Sequence, residues 1–223
     1  MTIPEPASAF GPAGALVLPI FPLPDITLFP HSVIPLHVFE ARYRAMVTDA
    51  LARDRRLCIT RLLPGYEARY VGKPPVALVA GAGEIVRWER LPTGRFNILV
   101  AGRSRVRIET EQPTDTLYRV VRARVLADEP PATDVSALMA RVRAACRQLL
   151  EALDRPRDLA DGLLEEAGAD PGRLADRAAA AFVPDADVRQ ELLETLAVEA
   201  RLARLSAALE GLLGSLRKRG KPE

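Results

Sequence analysis

The chain has 223 residues, 48% of them hydrophobic, and a formal net charge of +2. This length and hydrophobic content are typical of one large or two small globular domains, and they exclude a wholly disordered chain. No apolar stretch of the sequence is long enough to span a bilayer, so we predict that no membrane is involved.

Residues 1–15 are rich in Pro, Ala and Gly, and we predict that they form a disordered lead. They lack the basic start and continuous apolar run of a secretory signal peptide, which favours a cytoplasmic protein. The two cysteines, Cys58 and Cys146, both lie in apolar patterns. One such pair is not a disulfide framework, so we predict buried free thiols.

The stretch from Leu16 to Leu51 changes its hydrophobic period once. Apolar residues alternate over 16–20 and again over 34–38, which predicts two half-buried strands. Prolines between and within these runs favour edges, bulges and turns. From Phe39 to Leu51 the apolar spacing becomes helical, with Phe39 and Tyr43 on the predicted buried face.

More strands follow. The run Arg55–Leu63 has apolar residues on both faces, which predicts an inner strand. Two strands are expected over 76–80 and 84–90, with a bulge or bend at the glycines between them. The sequence Leu91–Arg95 (LPTGR) has the Pro and Gly positions of a hairpin turn. Further strands are predicted from Phe96 onward and over 117–126.

The character of the chain becomes helical after residue 128. Asp134 is placed to cap a first helix, and Pro156 and Gly168 delimit shorter ones. An apolar stripe over 184–216 predicts one long final helix, followed by a loose tail at 218–223. Strands first and helices afterwards predict an α+β protein, with a β-rich part at 16–128 and a helical part at 129–217.

Several motifs resemble the Lon N-terminal domain family, in the form that occurs as a free-standing protein. They are LPIFPLP (Leu18–Pro24), LFP (Leu28–Pro30), PLHVFE (Pro35–Glu40) and the hairpin region Gly83–Ile108. His31 and Ala41 stand where the family more often has Gly and Pro. The resemblance covers roughly Leu16 to Leu216, and it implies a twisted, PUA-like β pseudobarrel with one helix, followed by a helical subdomain that ends in a long helix.

The same resemblance implies a non-catalytic module that binds proteins or unfolded polypeptides, as an adaptor in protein quality control that works with a protease or chaperone. The sequence has no G-x-x-x-x-G-K-[ST] phosphate loop and no G-x-S-x-G motif, so we predict neither an ATPase nor a peptidase. We also predict no cofactor. The long apolar stripe of the last helix leaves homodimerisation open.

Candidate peptide-binding residues are the aromatic side chains in Pro- and Gly-rich segments, which we expect to be exposed. They are Phe29, Tyr66, Tyr70 and Trp88. The histidines, His31 and His37, could form a metal site only with Cys58. Three scattered residues do not make a structural zinc site, so we predict no metal and place His37 on the outer or half-buried face of a strand.

Alternating arginines suggest a second function. On paired strands they would form a basic stripe, the electrostatic footprint of an RNA-binding PUA-like protein. The residues are Arg103, Arg105, Arg107, Arg122 and Arg124. Nearby carboxylates and few aromatic residues favour a solvated or salt-bridged face instead, and we therefore disfavour nucleic acid as the partner.

Overall fold

The computed structural model describes residues 15–69 and 72–219, and the chain divides into two compact units between Ala127 and Asp128. We call them the barrel unit and the helical unit. The α+β class is confirmed. The elements are β1 (Ala15–Leu23), β2 (Val33–Val38), α1 (Ala41–Leu51), β3 (Arg56–Arg61), a 3-10 helix (Tyr66–Arg69), β4 (Val79–Arg90), β5 (Phe96–Gln112), β6 (Val120–Leu126), α2 (Ser136–Ala152), α3 (Arg157–Ala167), α4 (Pro171–Phe182), α5 (Ala186–Glu194) and α6 (Val198–Arg219).

The strands of the barrel unit close into a ring, which confirms the predicted pseudobarrel. β1 pairs in parallel with β3, and the pairings β3–β4, β4–β5, β5–β6 and β6–β1 are antiparallel. β5 joins the ring to β2, because it pairs with β2 along its first half and with β6 along its second half. β2 therefore lies outside the ring, at the end of the strand order.

Two hydrophobic cores lie on the two faces of this sheet. One is built from small and branched residues of every strand in the ring, and its Cys58 is fully buried. Burial raises the pKa of the Cys58 thiol to about 12, so the thiol stays protonated and unreactive at neutral pH. The other core packs Tyr43, Met46 and Val47 of α1 against the sheet, as the helical spacing predicted. Phe39 was wrongly placed on that buried helix face, because α1 begins at Ala41.

Glycines in β4 and β5 allow the loop before β2 to lie directly on the sheet. A Cβ atom at Gly81 would lie 1.9 Å from the carbonyl oxygen of Leu28, and one at Gly102 would lie 1.9 Å from that of Phe29. Leu28 and Phe29 are each 0% exposed. Because these two glycines have no side chain, the Leu28–Pro30 segment can lie directly against the sheet.

β4 and β5 form one long hairpin. The register shifts between Ala82 and Gly83, which confirms the predicted bulge, although β4 continues through it as a single strand rather than two. At the turn, the Gly94 N–H donates to the Leu91 carbonyl oxygen at 2.9 Å, and Gly94 has a φ of +74°. The hairpin turn predicted over Leu91–Arg95 is confirmed, and it needs glycine at the left-handed position.

The long final helix of the helical unit is broken, and this corrects the prediction of one continuous helix over 184–216. Helices α5 and α6 are separated at residues 195–197. The Glu129 N–H donates to the Leu196 carbonyl oxygen at 3.0 Å, and the Val198 N–H donates to the Glu129 carbonyl oxygen at 3.0 Å. These hydrogen bonds use backbone groups that an unbroken helix would pair internally.

A buried arginine connects three segments of the helical unit. Arg201 on α6 is 0% exposed, and its guanidinium forms two hydrogen bonds with the Asp128 carboxylate. Its Nε lies 3.5 Å from Oδ1 of Asp176 on α4, which is 1% exposed. A guanidinium buried against two carboxylates is a structural group that is costly to disturb.

Other arginines of the helical unit bind the ends of its helices. Arg143 donates to the carbonyl oxygens of Leu164 and Gly168, at 2.8 and 2.6 Å. Arg189 donates to the carbonyl oxygen of Val183 at 2.8 Å. Cations near a helix C-terminus satisfy orphan carbonyl groups and interact favourably with the helix dipole.

Parts of the predicted lead and tail lie outside the described residues. Ala15, placed in the lead, begins β1, and Lys218 and Arg219, placed in the tail, continue α6. Residues 1–14 and 220–223 are not among those described. Within the described ranges, no helix has the length and apolar character needed to cross a membrane.

Candidate functional site

β2, the beginning of β5 and the end of β4 present a grid of side chains on the side of the sheet opposite α1. Two cross-strand rows result from the register, and they are Pro35–Leu99–Arg87 and His37–Asn97–Glu89. We call these six residues the sheet face. Together with Leu36, Trp88 and Ile98 they line an open pocket of about 700 Å³. That volume is within the range of natural ligand sites.

One row of the sheet face is a hydrogen-bonded chain across three strands. Nδ1 of His37 lies 2.8 Å from Oδ1 of Asn97, and Nδ2 of Asn97 donates to Oε2 of Glu89 at 3.3 Å. Because an amide oxygen only accepts, Nδ1 of His37 carries the hydrogen and Nε2 is an acceptor when the ring is neutral. This row of hydrogen bonds therefore orients His37. The side chain is exposed, in line with its predicted place on the outer or half-buried face of a strand.

An exposed aromatic ring lies at one end of the sheet face. Phe39 follows β2, is 59% exposed, and has its ring centroid 6.3 Å from that of His37. Residues 37 and 39 are two apart, so they project to the same side of an extended chain. Phe39 thus adds a large apolar contact to the polar row.

The aromatic residues predicted to bind peptide are in different environments. Phe29 is fully buried beneath the glycines of β4 and β5, so its prediction as an exposed anchor is wrong. Tyr66 is half-buried in the 3-10 helix, and Tyr70 lies outside the described residues. Trp88 is 42% exposed, and the Arg55 guanidinium lies 4.7 Å from the centroid of its ring.

The predicted arginine stripe is largely neutralised or buried. β5 and β6 do pair, which brings Arg107 opposite Arg124. Arg105, however, is only 3% exposed, and this corrects its assignment to an accessible stripe. Arg103 is ion-paired with Glu84 at 3.3 Å.

The β6 arginines of the stripe share one carboxylate. Arg122 and Arg124 lie 3.8 and 3.5 Å from Glu109. The stripe thus has the solvated or salt-bridged character that the sequence favoured, because Arg103, Arg122 and Arg124 lie beside carboxylates and Arg107 is exposed to solvent.

A second group of arginines was missed by the sequence analysis. It surrounds the tip of the β4–β5 hairpin, where the segment Arg87–Arg95 reads RWERLPTGR. The density of arginine in that segment was the available signal. We call this group, together with two arginines beside α1, the tip cluster: Arg44, Arg55, Arg87, Arg90 and Arg95.

The histidines and cysteines do not come together. His31 occupies a turn with a φ of 62°, His37 lies on the sheet face, and Cys58 is inside the ring. Among the described residues, no group of three His, Cys, Asp or Glu side chains is arranged to hold a metal ion.

Comparison with known proteins gives consistent results. Residues 17–211 match the family model described as the ATP-dependent protease La (LON) substrate-binding domain. The chain is 33% identical over 201 residues to a Lon protease of Roseiflexus castenholzii, covering 87% of this chain and 24% of that protein. It is 32% identical over 216 residues to Lon protease 2 of Sorangium cellulosum, covering 93% of this chain and 26% of that protein.

Solved structures share the fold. The N-terminal domain of the Lon protease of Mycobacterium avium complex has a TM-score of 0.68 at 22% identity, covering 87% of this chain and 98% of that chain. A Lon N-terminal domain protein of Xanthomonas campestris has a TM-score of 0.61 at 22% identity, covering 86% of this chain and 98% of that chain. The chain spans about a quarter of the length of its curated relatives.

Proposed function

Because the chain belongs to the Lon substrate-binding domain family, we propose that it is a non-catalytic module that binds segments of other polypeptides. The main support for the proposal is the match of residues 17–211 to the family model of the substrate-binding domain. The matched family model is that of a substrate-binding domain, so the proposed role is recognition.

The surface we assign to this binding is the sheet face with Phe39. It combines apolar groups with a fixed polar row, which is the usual composition of a site that accepts many ligands through one geometry. β2 lies at the end of the strand order, so an extended segment can also pair with its backbone. Backbone pairing depends little on side-chain identity, and this suits a module that meets unfolded chains of many sequences.

The proposal includes a cytoplasmic role as an adaptor in protein quality control, acting with a protease or chaperone. The free and buried Cys58 and Cys146 support a reducing compartment, because disulfides are rare there. Homodimerisation remains a prediction, and sedimentation of the purified chain would test it.

RNA binding through the strand arginines has less support. Glu84 is ion-paired with Arg103, and Glu109 lies beside Arg122 and Arg124. A phosphate backbone would have to displace these carboxylates before it could contact the arginines. We therefore keep RNA as a competitor in the binding experiment.

The experiment measures binding of a fluorescein-labelled, reduced and alkylated polypeptide that stays unfolded, by fluorescence anisotropy. Phe39→Ala should weaken the affinity about tenfold, since it removes a large apolar contact. Leu117→Ala is the matched control, because Leu117 is 69% exposed and does not line the sheet-face pocket. It should leave the affinity within about twofold of the unsubstituted chain.

Two outcomes would contradict the proposal. If the unfolded polypeptide does not bind, or if unlabelled RNA displaces it completely, polypeptide recognition is wrong. If it binds but Phe39→Ala and Leu117→Ala have equal effects, the assignment of the surface is wrong while the function stands.

A further inference from the structure

The tip cluster is distinguished by what its arginines lack. Among the described residues, none of Arg44, Arg55, Arg87, Arg90 and Arg95 is ion-paired with a carboxylate. The one carboxylate of the segment Arg87–Arg95, Glu89, is hydrogen-bonded to Asn97 on the sheet face. Three arginines in that segment thus outnumber its one carboxylate, and the hairpin tip carries a net positive charge.

Two members of the tip cluster lie beside the turn of the hairpin. A Cβ atom built on Gly94 in the turn would lie 3.0 Å from Nη1 of Arg44. The Arg90 guanidinium lies 5.9 Å from the centroid of the Phe96 ring. An excess of positive charge around this turn raises the local potential, which favours an anionic ligand there.

Arg55 is held in place by the backbone rather than by an acid. Its φ of 61° is in the left-handed region, which costs a non-glycine residue on the order of 1 kcal/mol. Its N–H donates to the Ala50 carbonyl oxygen, and its own carbonyl oxygen accepts from the Ile85 N–H, both at 2.9 Å. This turn places the Arg55 guanidinium over Trp88.

From this charge pattern we propose that the tip cluster and the sheet face together bind an extended, acidic polypeptide segment. Arg87 lies on the sheet face along β4, and β4 ends at Arg90, so a chain that follows β4 on that face reaches the turn that precedes Arg95. Arginine forks suit the planar carboxylates of Asp and Glu. The proposal rests on the proposed function and specifies the substrate class of its surface.

Geometry favours a polypeptide over RNA as the anion. Single-stranded RNA is bound by stacking its bases on exposed aromatic rings. At the tip, one side of Trp88 is occupied by Arg55, and Phe96 is only 4% exposed. Phe39, 59% exposed, is thus the main ring left for stacking, whereas single-stranded RNA stacks successive bases on several rings.

The test uses three labelled peptides of equal length, each with apolar residues at alternate positions and Glu, Ser or Lys between them. Anisotropy at low and high salt gives the affinity of the full chain for each peptide. The Glu peptide should bind at least tenfold more tightly than the Lys peptide, with an affinity that falls as salt rises. The Ser peptide should lie between them and vary little with salt.

Arg87→Gln/Arg95→Gln is the test variant, since both side chains are exposed and their loss should not affect folding. It should weaken binding of the Glu peptide about three- to tenfold, and binding of the Ser peptide by a smaller factor, because Arg87 also lines the sheet face. Arg122→Gln/Arg124→Gln removes the same charge from residues that lie beside Glu109. This control should keep the affinity for the Glu peptide within about twofold.

The outcomes separate the two proposals. Equal binding of all three peptides, or equal loss in both double variants, overturns the preference for acidic segments and leaves polypeptide binding intact. Failure of every peptide to bind overturns both. Tighter binding of single-stranded RNA than of the Glu peptide, lost in Arg87→Gln/Arg95→Gln, identifies the tip cluster as a nucleic-acid site and overturns the proposal.

Discussion

Arginine has different roles in the two units. In the helical unit, Arg201 is buried against Asp128 and Asp176, and Arg143 and Arg189 donate to carbonyl oxygens at helix ends. In the barrel unit, the tip cluster extends from a hairpin and from α1 without a carboxylate partner among the described residues. The same residue type is fixed within the fold in the helical unit and is left without an acidic partner at the tip cluster of the barrel unit.

This difference shows why the abundance of arginine does not by itself indicate a function. The net charge of +2 gives no sign of a basic site, and the most regular arginine pattern, on β5 and β6, is largely buried or ion-paired. What marks a candidate site is the presence or absence of an acid within reach of each guanidinium. That property depends on tertiary structure.

The barrel unit relies on close backbone approach where the helical unit relies on ion pairs. Gly81 and Gly102 allow the Leu28–Phe29 backbone to contact the sheet. The comparison therefore predicts that stability depends on arginine in one unit and on glycine in the other. Four variants test the structural roles described for the two units.

Arg201→Ala should have the largest effect, a loss of about 3–5 kcal/mol in the free energy of unfolding of the helical unit. It removes the guanidinium that lies against the buried Asp176 and the Asp128 carboxylate. Urea unfolding followed by far-UV circular dichroism measures the loss. Arg204→Ala on the same helix is the control, because that side chain is 59% exposed and lies 3.9 Å from Glu191, and it should cost less than about 1 kcal/mol. Equal midpoints for the two variants would contradict a structural role for Arg201.

Gly102→Ala should destabilise the barrel unit by about 1–3 kcal/mol, because the added Cβ would overlap the Phe29 carbonyl oxygen. Thermal unfolding provides the measurement. Gly211→Ala in α6 is the matched control, since no atom lies within 4 Å of its added Cβ. Alanine is the better helix former by about 1 kcal/mol, so this control should raise the melting temperature. If the melting temperature fell in both variants, the close backbone contact at Gly102 would not explain the loss of stability.

Tyr118→Phe should cost the barrel unit about 1 kcal/mol near neutral pH, because the Tyr118 hydroxyl donates to Oδ2 of Asp49 at 2.7 Å. Burial, together with Asp49, raises the pKa of Tyr118 from 10.0 to about 12. The folded state therefore holds the proton more tightly, so this contribution is complete below pH 10 and is lost as the pH rises from 10 to 12. Denaturant titrations across this range should show the two proteins converging. If the difference in the free energy of unfolding stayed constant from pH 10 to 12, ionisation of Tyr118 would not be coupled to folding.

Arg87→Gln/Arg95→Gln should have the smallest effect on folding, less than about 0.5 kcal/mol, because both side chains are exposed and neither is ion-paired. The measurement is the urea midpoint compared with that of the unsubstituted chain. A loss comparable to that of Arg201→Ala would mean that the tip cluster is structural, and the contrast between the units would fail.

The sequence was informative where a local pattern was sufficient. Alternation predicted β1 and β2, and the Pro and Gly positions predicted the turn at Leu91–Arg95. It was misleading where a distant segment decides the outcome. The apolar stripe over 184–216 gives no sign that Glu129 pairs with the chain at Ala197 and separates α5 from α6.

The candidate site was predicted less well than the fold, for the same reason. Phe29 reads as an exposed loop aromatic, and its burial depends on glycines more than fifty residues away in the sequence. Trp88 was predicted to be accessible and is, but the Arg55 beside it is placed by a left-handed turn that no periodicity indicates. The tip cluster becomes apparent only when the partner of each arginine is known.

Pro35 on β2 affects how readily the open edge of the sheet can aggregate. Ser32 accepts a hydrogen bond from the Gly102 N–H, so alternation along β2 directs the backbone of Pro35 away from β5, toward the open edge. An open edge invites strands from other chains to add in succession, and proline there removes one of the donors that a growing sheet needs. A module that holds unfolded polypeptides on such an edge can thus accept one strand while providing a poor template for fibril growth.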